Sequence, residues 1–110
     1  MRDHRLYLDD ISTAIKKIEK YSKGYNARKL KNDDLVIDGI TRNLEIIGEA
    51  AKNIPRAIKE KCPEIEWKKI AGLRDVLAHE YFGVDIEILW DIVKNKIPDF
   101  KKKLSKISIR

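Results

Sequence analysis

The sequence predicts an all-α fold, an antiparallel bundle of four main helices with short extra helical turns. Its long stretches carry apolar residues at alternating spacings of three and four positions, the period of an amphipathic helix. No stretch alternates apolar and polar residues with a period of two for long enough to predict a strand. Glycines, prolines and capping residues separate the apolar stretches, so we expect successive helices joined by short turns.

The first helix is expected to start near the beginning of the chain and to end at Gly24, because glycine commonly terminates helices. The segment at residues 26–31 then leaves room for one loose turn. The apolar stripe of this helix consists of Tyr7, Ile11, Ala14, Ile18, Tyr21 and Tyr25, with Leu8 and Ile15 beside it.

The start of the second helix is predicted by three candidate N-cap residues, Asn32, Asp33 and Asp34. Its main stripe consists of Ile37, Ile40, Leu44, Ile47, Ala51 and Ile54. The opposite side carries a different set, namely Arg42, Glu45 and Glu49, with Leu35 and Ile46 near them. Two apolar faces predict a helix that is contacted from both sides, and Gly48 lets another backbone approach closely.

Prolines divide the chain between the second helix and the next one. Pro55 disfavours helical geometry before it and is able to open a short helix to about residue 61, after which Pro63 breaks the chain again. The third main helix is expected over residues 67–81, with Gly83 placed to end it.

The last main helix is expected to begin at Asp85, whose side chain suits an N-cap. Pro98 lies inside its stripe and predicts a kink or break near residues 96–97. The stripe consists of Ile86, Trp90, Val93, Ile97, Phe100, Leu104 and Ile107.

Composition restricts the class of protein. The 110 residues predict a single domain over 1–110. With 38% charged residues, no long apolar run and a single cysteine, Cys62, the chain is expected to be cytoplasmic. Metal binding is unsupported and no cofactor is expected, since Cys62 and His4 have no neighbours at ligand spacing and Gly83 stands where a zinc-protease helix needs its second histidine.

The net charge of +6, with a pI near 9.4, favours polyanionic partners such as nucleic acid. A lysine-rich composition also arises from genome bias or a hot habitat, so the charge alone leaves both interpretations open. The C-terminal residues form a basic tail that is interpreted as a solvated helix face or as a guide for RNA, namely Lys101, Lys102, Lys103, Lys106 and Arg110.

The stretch "AGLRDVLAHEYFGVD", residues 71–85, holds one of the two histidines. On a helix that turns by about 100° per residue, Asp75 and His79 lie one turn apart on the same side. Arg74 and His79 differ by about 140° in direction. Two copies facing each other would bring these side chains together better than one, which predicts a symmetric homodimer.

The residue types suit phosphodiester chemistry. An arginine binds phosphate oxygens with its guanidinium fork, and an imidazole exchanges a proton near neutral pH. Together they could cleave RNA without a metal: the base removes the 2′-hydroxyl proton while the arginine stabilises the charge on the phosphorane. A lone histidine near a helix end is more often structural, so spacing alone decides nothing.

Three long blocks resemble one known family. "LRDVLAHEYFGVD" resembles the Arg-x4-His-x-Tyr motif of the HEPN superfamily, in particular the HepT-like toxin branch. "RNLEIIGEAAKNIP" (residues 42–55), "PEIEWKKIAGLR" (63–74) and "YFGVDIEILWDIVKNKIPDF" (81–100) resemble the same branch in order and spacing. The resemblance covers nearly the whole chain.

The resemblance implies a helical homodimer that acts as a metal-independent endoribonuclease toxin. Arg74 and His79 match the catalytic pair of the family, and Asp75 stands where relatives commonly have asparagine. A carboxylate there would orient His79 and would also repel phosphate. Tyr81 matches the tyrosine that a minimal nucleotidyltransferase antitoxin modifies with AMP in type VII toxin–antitoxin systems, which would add charge and bulk beside the RNA.

Two alternatives remain open. The chain is either this enzyme or a non-catalytic HEPN subunit that presents substrate or nucleotide to a nucleotidyltransferase. The presence of Arg74, His79 and Tyr81 together favours the enzyme. Glu49 is expected either to pair with Arg74 and hold it in place, or to be a solvated carboxylate.

Overall fold

The computed structural model describes residues 3–73, 75 and 85–108. Within these ranges the secondary structure is helical and no residue forms a strand, which confirms the all-α prediction. The helices are α1 (His4–Ser22), α2 (Ala27–Lys31), α3 (Asp34–Lys52), α4 (Arg56–Lys59), α5 (Trp67–Ala71), α6 (Ile86–Asp91), a π-helical segment (Ile92–Lys96) and α7 (Ile97–Ser108). The four-helix arrangement and the homodimer remain predictions.

The two long helices α1 and α3 form the most extensive contact between described elements. Their predicted stripes supply the centre of the core, where Ile11, Ile18, Leu44 and Ile47 are at most 1% exposed. Burying each such side chain stabilises the fold by about 1.5–3 kcal/mol. Gly24 follows α1 as predicted and has a φ of 78°, a left-handed conformation that other residues rarely adopt.

The segment at residues 26–31, predicted as a loose turn, is the short helix α2. The Asn26 side chain caps it by accepting a hydrogen bond from the Lys29 amide at 2.8 Å. Leu30 is completely buried and anchors this helix in the core. Tyr25 on one side of α2 donates a hydrogen bond to Asp33 on the other, and that contact closes the segment. The sequence signals for this helix are the Asn26 cap and one apolar residue, Leu30. A single apolar residue is too little to form a periodic pattern.

The helix predicted over residues 67–81 begins at Trp67, but its first segment, α5, ends at Ala71. The Gly72 amide donates to the carbonyl oxygens of Lys68 and Lys69, and the chain is helical again at Leu73 and Asp75. The remainder of the predicted helix lies outside the described residues. Glycine has low helix propensity, so a local break at this position has a simple cause.

The C-terminal helix starts as predicted, with the Asp85 carboxylate accepting hydrogen bonds from the Glu87 and Ile88 amides at 3.0 and 3.2 Å. The irregularity expected near residues 96–97 takes the form of the π-helical segment Ile92–Lys96, directly before α7 and its Pro98. Proline lacks an amide hydrogen and crowds the preceding turn, and a wider turn accommodates both effects. In the part of the chain that the structure describes, no helix is long and apolar enough to cross a membrane.

Candidate active site

Three of the predicted site residues, Arg74, His79 and Tyr81, lie outside the described residues, and Glu49 and Asp75 lie within them. The Asp75 side chain is exposed, and its backbone amide donates to the Gly72 carbonyl at 3.0 Å. Glu49 is exposed on α3, one turn before the end of that helix. The structure therefore locates the approach to the motif and the surface of α3 beside it.

Gly48 brings the approach to the motif against α3. A Cβ atom added to Gly48 would lie 3.1 Å from the carbonyl oxygen of Ala71 and 3.4 Å from that of Ile70. A side chain at this position would press the backbone of Ala71 away by a few tenths of an ångström, so glycine favours this contact between α3 and the end of α5. The prediction that another backbone approaches Gly48 closely is confirmed. This contact determines the position along α3 beside which the motif segment begins.

The outer face of α3 carries four charged side chains around this contact, at intervals that place them on one side of the helix. They line a groove of about 210 Å³ together with Gly48 and Ala71, and they are Arg42, Glu45, Glu49 and Lys52. Sequence reasoning named the first three and missed Lys52. Its position three residues after Glu49, and seven after Glu45, is the signal that could have identified it.

Glu49 stands between two grooves. It lines the groove beside Ala71 and also a second groove of about 200 Å³ between α3 and α1, where Tyr7, Asp10 and Asn53 are among the lining residues. Its backbone oxygen accepts a hydrogen bond from the Asn53 side chain at 2.9 Å. Because its carboxylate is exposed between the two grooves, Glu49 is accessible to a basic side chain or to water.

The charges of the outer face balance one another. The Arg42 Nη1 atom lies 3.8 Å from Glu45 Oε1, at the long end of an ion pair, and the arginine side chain is 72% exposed. An exposed pair of this kind contributes at most about 1 kcal/mol to stability. Helix packing beneath this face therefore stabilises it more than its surface charges do.

Within the described ranges, the side chains of His, Cys, Asp and Glu nowhere form a group of three or more that could hold a metal ion. The groups with clearly shifted pKa values lie elsewhere. Hydrogen bonds from Cys62 and Lys106 and from the backbone lower the pKa of Glu64 to about 2. Burial raises the pKa of the Cys62 thiol, with the Glu64 carboxylate as a second cause.

The segment at residues 62–64 contacts both α7 and the start of α5 and so fixes their relative position. Lys106 Nζ lies 3.2 Å from Glu64 Oε2, and the Cys62 thiol donates to the Lys103 carbonyl at 3.5 Å. The Trp67 indole donates to the Cys62 carbonyl at 3.3 Å and packs edge-on against Phe100, with ring centroids 6.2 Å apart. These contacts fix where α5 starts, and so where the motif segment begins.

Comparison with known proteins identifies the family. Residues 11–107 match the HepT-like family, described as ribonuclease HepT-like. A Thermococcus cleftensis protein named "Probable ribonuclease HepT" is 44% identical over 106 residues, which are 96% of each chain. A protein of Caldanaerobacter subterraneus subsp. tengcongensis, named a "Putative RNase", is 38% identical over 107 residues, covering 97% of this chain and 96% of the relative.

A further relative from Methanocaldococcus jannaschii, also named a "Putative RNase", is 41% identical over 106 residues, 96% of this chain and 91% of its own length. No solved structure matches the chain significantly. The matched region runs from the first turns of α1 to the end of α7 and includes the whole stretch at residues 71–85. On this evidence the chain belongs to the HepT-like ribonuclease family of the HEPN superfamily.

Proposed function

We propose that the protein is a metal-independent endoribonuclease toxin of a type VII toxin–antitoxin system. The observation that carries this proposal is the family match over residues 11–107, which includes the positions of Arg74, His79 and Tyr81 in their motif spacing. Relatives that share at least 38% of their residues over nearly their full length are named as ribonucleases. The basic net charge of +6 is in keeping with an RNA substrate.

In the proposed reaction His79 removes the proton from a ribose 2′-hydroxyl. The 2′-oxygen attacks the adjacent phosphorus, a 2′-O–P bond forms, and the P–O5′ bond breaks as the 5′-oxygen takes up a proton. Arg74 stabilises the additional negative charge on the phosphorane through its guanidinium fork. Asp75 is four residues before His79 and would lie one turn from it if the helix is continuous, so it is proposed to orient the imidazole.

The proposed active form is a homodimer. On an ideal helix Arg74 and His79 would point about 140° apart, so the base and the arginine at one phosphate are proposed to come from facing motifs. The charged outer face of α3 adjoins the approach to the motif. Glu49 on that face is proposed to pair with Arg74 and limit its range of conformations.

The proposed regulation acts on Tyr81. A minimal nucleotidyltransferase antitoxin would transfer AMP to the phenol oxygen, releasing pyrophosphate from ATP. Because Tyr81 is two residues from His79, the added phosphate would place negative charge and bulk where the RNA phosphate binds. Tyr81→Phe keeps the ring and removes the acceptor, so co-expression with the partner followed by intact mass spectrometry should show AMP on the wild-type chain only.

Cleavage assays of Arg74→Ala and His79→Ala test the proposed function. We expect each variant to lose cleavage of RNA in EDTA by about 10²–10⁴-fold, the usual contribution of a positioned acid–base or charge-stabilising group. Thermal unfolding should change little, because neither residue belongs to the apolar stripes. Wild-type cleavage by either variant would contradict the assigned roles.

The same assay addresses the non-catalytic alternative. A substrate- or nucleotide-presenting subunit would bind RNA or nucleotide without cutting, and its expression would not be toxic. If the wild-type protein binds RNA but leaves it intact in both EDTA and Mg²⁺, the binding role replaces the enzyme.

A further inference from the structure

The lysines of the C-terminal helix separate into two groups in the folded protein. Lys103 and Lys106 face the segment before α5, where Lys103 Nζ donates to the Glu64 carbonyl at 3.3 Å and Lys106 Nζ lies 3.2 Å from Glu64 Oε2. Lys101 faces α1 instead, and its Nζ lies 2.9 Å from Glu19 Oε2. The basic run that is continuous in sequence therefore does not form one surface.

Helix α1 runs antiparallel to the C-terminal helix. Near one end Leu8 and Ile107 line the same groove, and further along Glu19 pairs with Lys101. Beyond Glu19, α1 continues for less than one turn, to Ser22, and it contacts the π-helical segment. Lys23 and Lys94 are then expected at the same end of the seam between the helices.

Two lysines of α1, Lys16 and Lys20, and Lys23 directly after it lie on the exposed side of Glu19. At about 100° per residue, Lys16 and Lys23 are within about 60° of the direction of Glu19, and Lys20 is about 100° away. All three are exposed, as is Lys102 on the neighbouring helix. We name this surface the basic seam, and it consists of Lys16, Lys20, Lys23, Lys94, Lys101 and Lys102.

Acidic side chains offset little of this charge. Within residues 12–23 the only acidic residue is Glu19, and within residues 94–108 it is Asp99. Both are already in ion pairs, the first with Lys101 and the second with Lys103 on the far side. Among the described carboxylates none lies within ion-pair distance of Lys16, Lys20 or Lys102. The basic seam thus carries an excess of positive charge.

We propose that the basic seam is a docking surface for the RNA backbone, an inference that rests on the proposed ribonuclease function. Lysine ammonium groups in a row attract successive phosphates and release counterions without reading the bases. Lys94 lies nine residues after Asp85, about 14 Å along a helix, and Asp85 is the last residue of the stretch at residues 71–85 that holds the motif. RNA held along the seam would therefore extend toward the motif segment.

The outer face of α3 is a poor alternative for this role. Its carboxylates, among them Glu45 and Glu49, stand beside Arg42 and Lys52, so its charges cancel over a short distance. A polyanion would meet repulsion there as well as attraction. In this proposal the basic seam holds the RNA, and the face of α3 beside the motif is left to orient the reacting groups.

A pair of matched triple variants tests the proposal. Lys16→Gln/Lys20→Gln/Lys102→Gln removes three charges from the seam. Lys59→Gln/Lys61→Gln/Lys106→Gln removes the same number elsewhere, including one lysine that is paired with Glu64. Both lower the net charge of +6 equally, so any difference between them reflects position. Thermal unfolding of both variants verifies that they fold.

The binding probe is a fluorescein-labelled, single-stranded 2′-O-methyl RNA, which keeps its phosphates and lacks the attacking hydroxyl. For the seam variant we expect Kd to rise on the order of tenfold at low salt, and the slope of log K against log salt to fall by about 2, about 0.7 per lost phosphate contact. The control triple should retain most of the wild-type affinity and slope. With unmodified RNA, KM should rise in the seam variant while kcat is retained.

Equal Kd and salt dependence for the two triples would overturn the proposal. If the seam variant loses binding to phosphatidylserine vesicles but retains RNA binding, the seam is a membrane-binding surface and the proposal is overturned. If the wild-type protein binds RNA through the seam and cuts none, the ribonuclease function fails while the seam stands as an RNA-binding surface. If the wild-type protein cuts RNA and the seam variant has an unchanged KM, the proposed role of the seam is wrong while the ribonuclease function stands.

Discussion

The two faces of α3 differ in the role of their side chains. The inner face presents Ile40, Leu44 and Ile47, all completely buried against the core. The outer face presents Arg42 and Glu49, both exposed beside the approach to the motif. One helix of 19 residues thus supports the fold on one side and the proposed site on the other. Substitutions on the inner face should act on stability, and those on the outer face on activity.

Gly48 joins the two faces. It is buried, yet it contributes no side chain to the core, and the Ala71 backbone lies against it. A change at this position is expected to affect both stability and activity, because the start of the motif segment would have to move. The separate roles of the two faces can therefore be tested at three places: the inner face, Gly48 at the boundary, and the outer face.

The largest effect on stability is expected for Ile47→Ala on the inner face. Ile47 is completely buried, and truncation leaves a cavity, so the free energy of unfolding should fall by about 2–5 kcal/mol. Ile47→Val should cost about 0.5–1.5 kcal/mol. Urea unfolding measures both, and cleavage per folded molecule should be close to wild type. Lost cleavage in a fully folded Ile47→Val variant would break the separation of the two faces.

Gly48→Ala tests the boundary, with Gly39→Ala as its matched control. The new methyl group at position 48 meets the rigid Ala71 carbonyl at 3.1 Å, whereas at position 39 it meets the Tyr21 ring at 3.2 Å, which can move aside. Overpacking costs about 1–3 kcal/mol, and the gain in helix propensity offsets about 1 kcal/mol. We expect Gly48→Ala to lose about 1 kcal/mol and some activity.

For Gly39→Ala we expect unchanged or slightly increased stability and wild-type cleavage, measured by thermal unfolding and RNA assay in parallel. Equal behaviour of the two alanine variants would show that the close contact between α3 and Ala71 does not matter for the motif.

Glu49→Gln tests the outer face, where a smaller effect on activity and almost none on stability are expected. Loss of a carboxylate that positions Arg74 should lower kcat on the order of tenfold, while the free energy of unfolding changes by less than about 0.5 kcal/mol. Glu49→Asp should restore part of kcat, and Lys52→Gln in the same groove serves as control. Wild-type kcat in Glu49→Gln would mean that Glu49 is only a solvated carboxylate.

The smallest effect is expected at Glu64, a charged site outside both faces. Its folded-state pKa of about 2 is below the ordinary value of 4.5, so the stability from its contacts is present above about pH 4.5 and is lost as pH falls toward 2. Glu64→Gln should lower the Tm slightly at neutral pH, and the difference from wild type should shrink below pH 4.5. An unchanged difference at low pH would contradict the lowered pKa, and reduced cleavage at neutral pH would show that charge changes away from α3 also affect the site.

Much of the fold could be predicted because local patterns and tertiary packing agree. The stripes of α1 and α3, the Asp33 and Asp85 caps and the glycine after α1 all appear as expected. The short helix α2 and the break at Gly72 were missed. Helices of about five residues are not stable by themselves, so whether they form depends on a single buried contact such as that of Leu30.

The candidate site was predictable to a different degree. The motif residues Arg74, His79 and Tyr81 were named from sequence, and their placement remains a prediction because they lie outside the described residues. Lys52 was missed as a neighbour of Glu49, although its spacing of three residues from Glu49 and seven from Glu45 places it on the same side of α3. Its membership of the groove follows from where α5 ends, which the periodicity does not reveal.

The sequence by itself determined the helical class, the apolar faces and the types of residue available for phosphodiester chemistry, because these follow from spacing and from side-chain chemistry. Only the tertiary structure decided which charges are neighbours. Lys101 and Lys106 lie on the same helix, five positions apart in sequence, yet one pairs with Glu19 on α1 and the other with Glu64 in the segment before α5. The physical reason is that an ion pair depends on distance in space, and the register of two packed helices sets that distance.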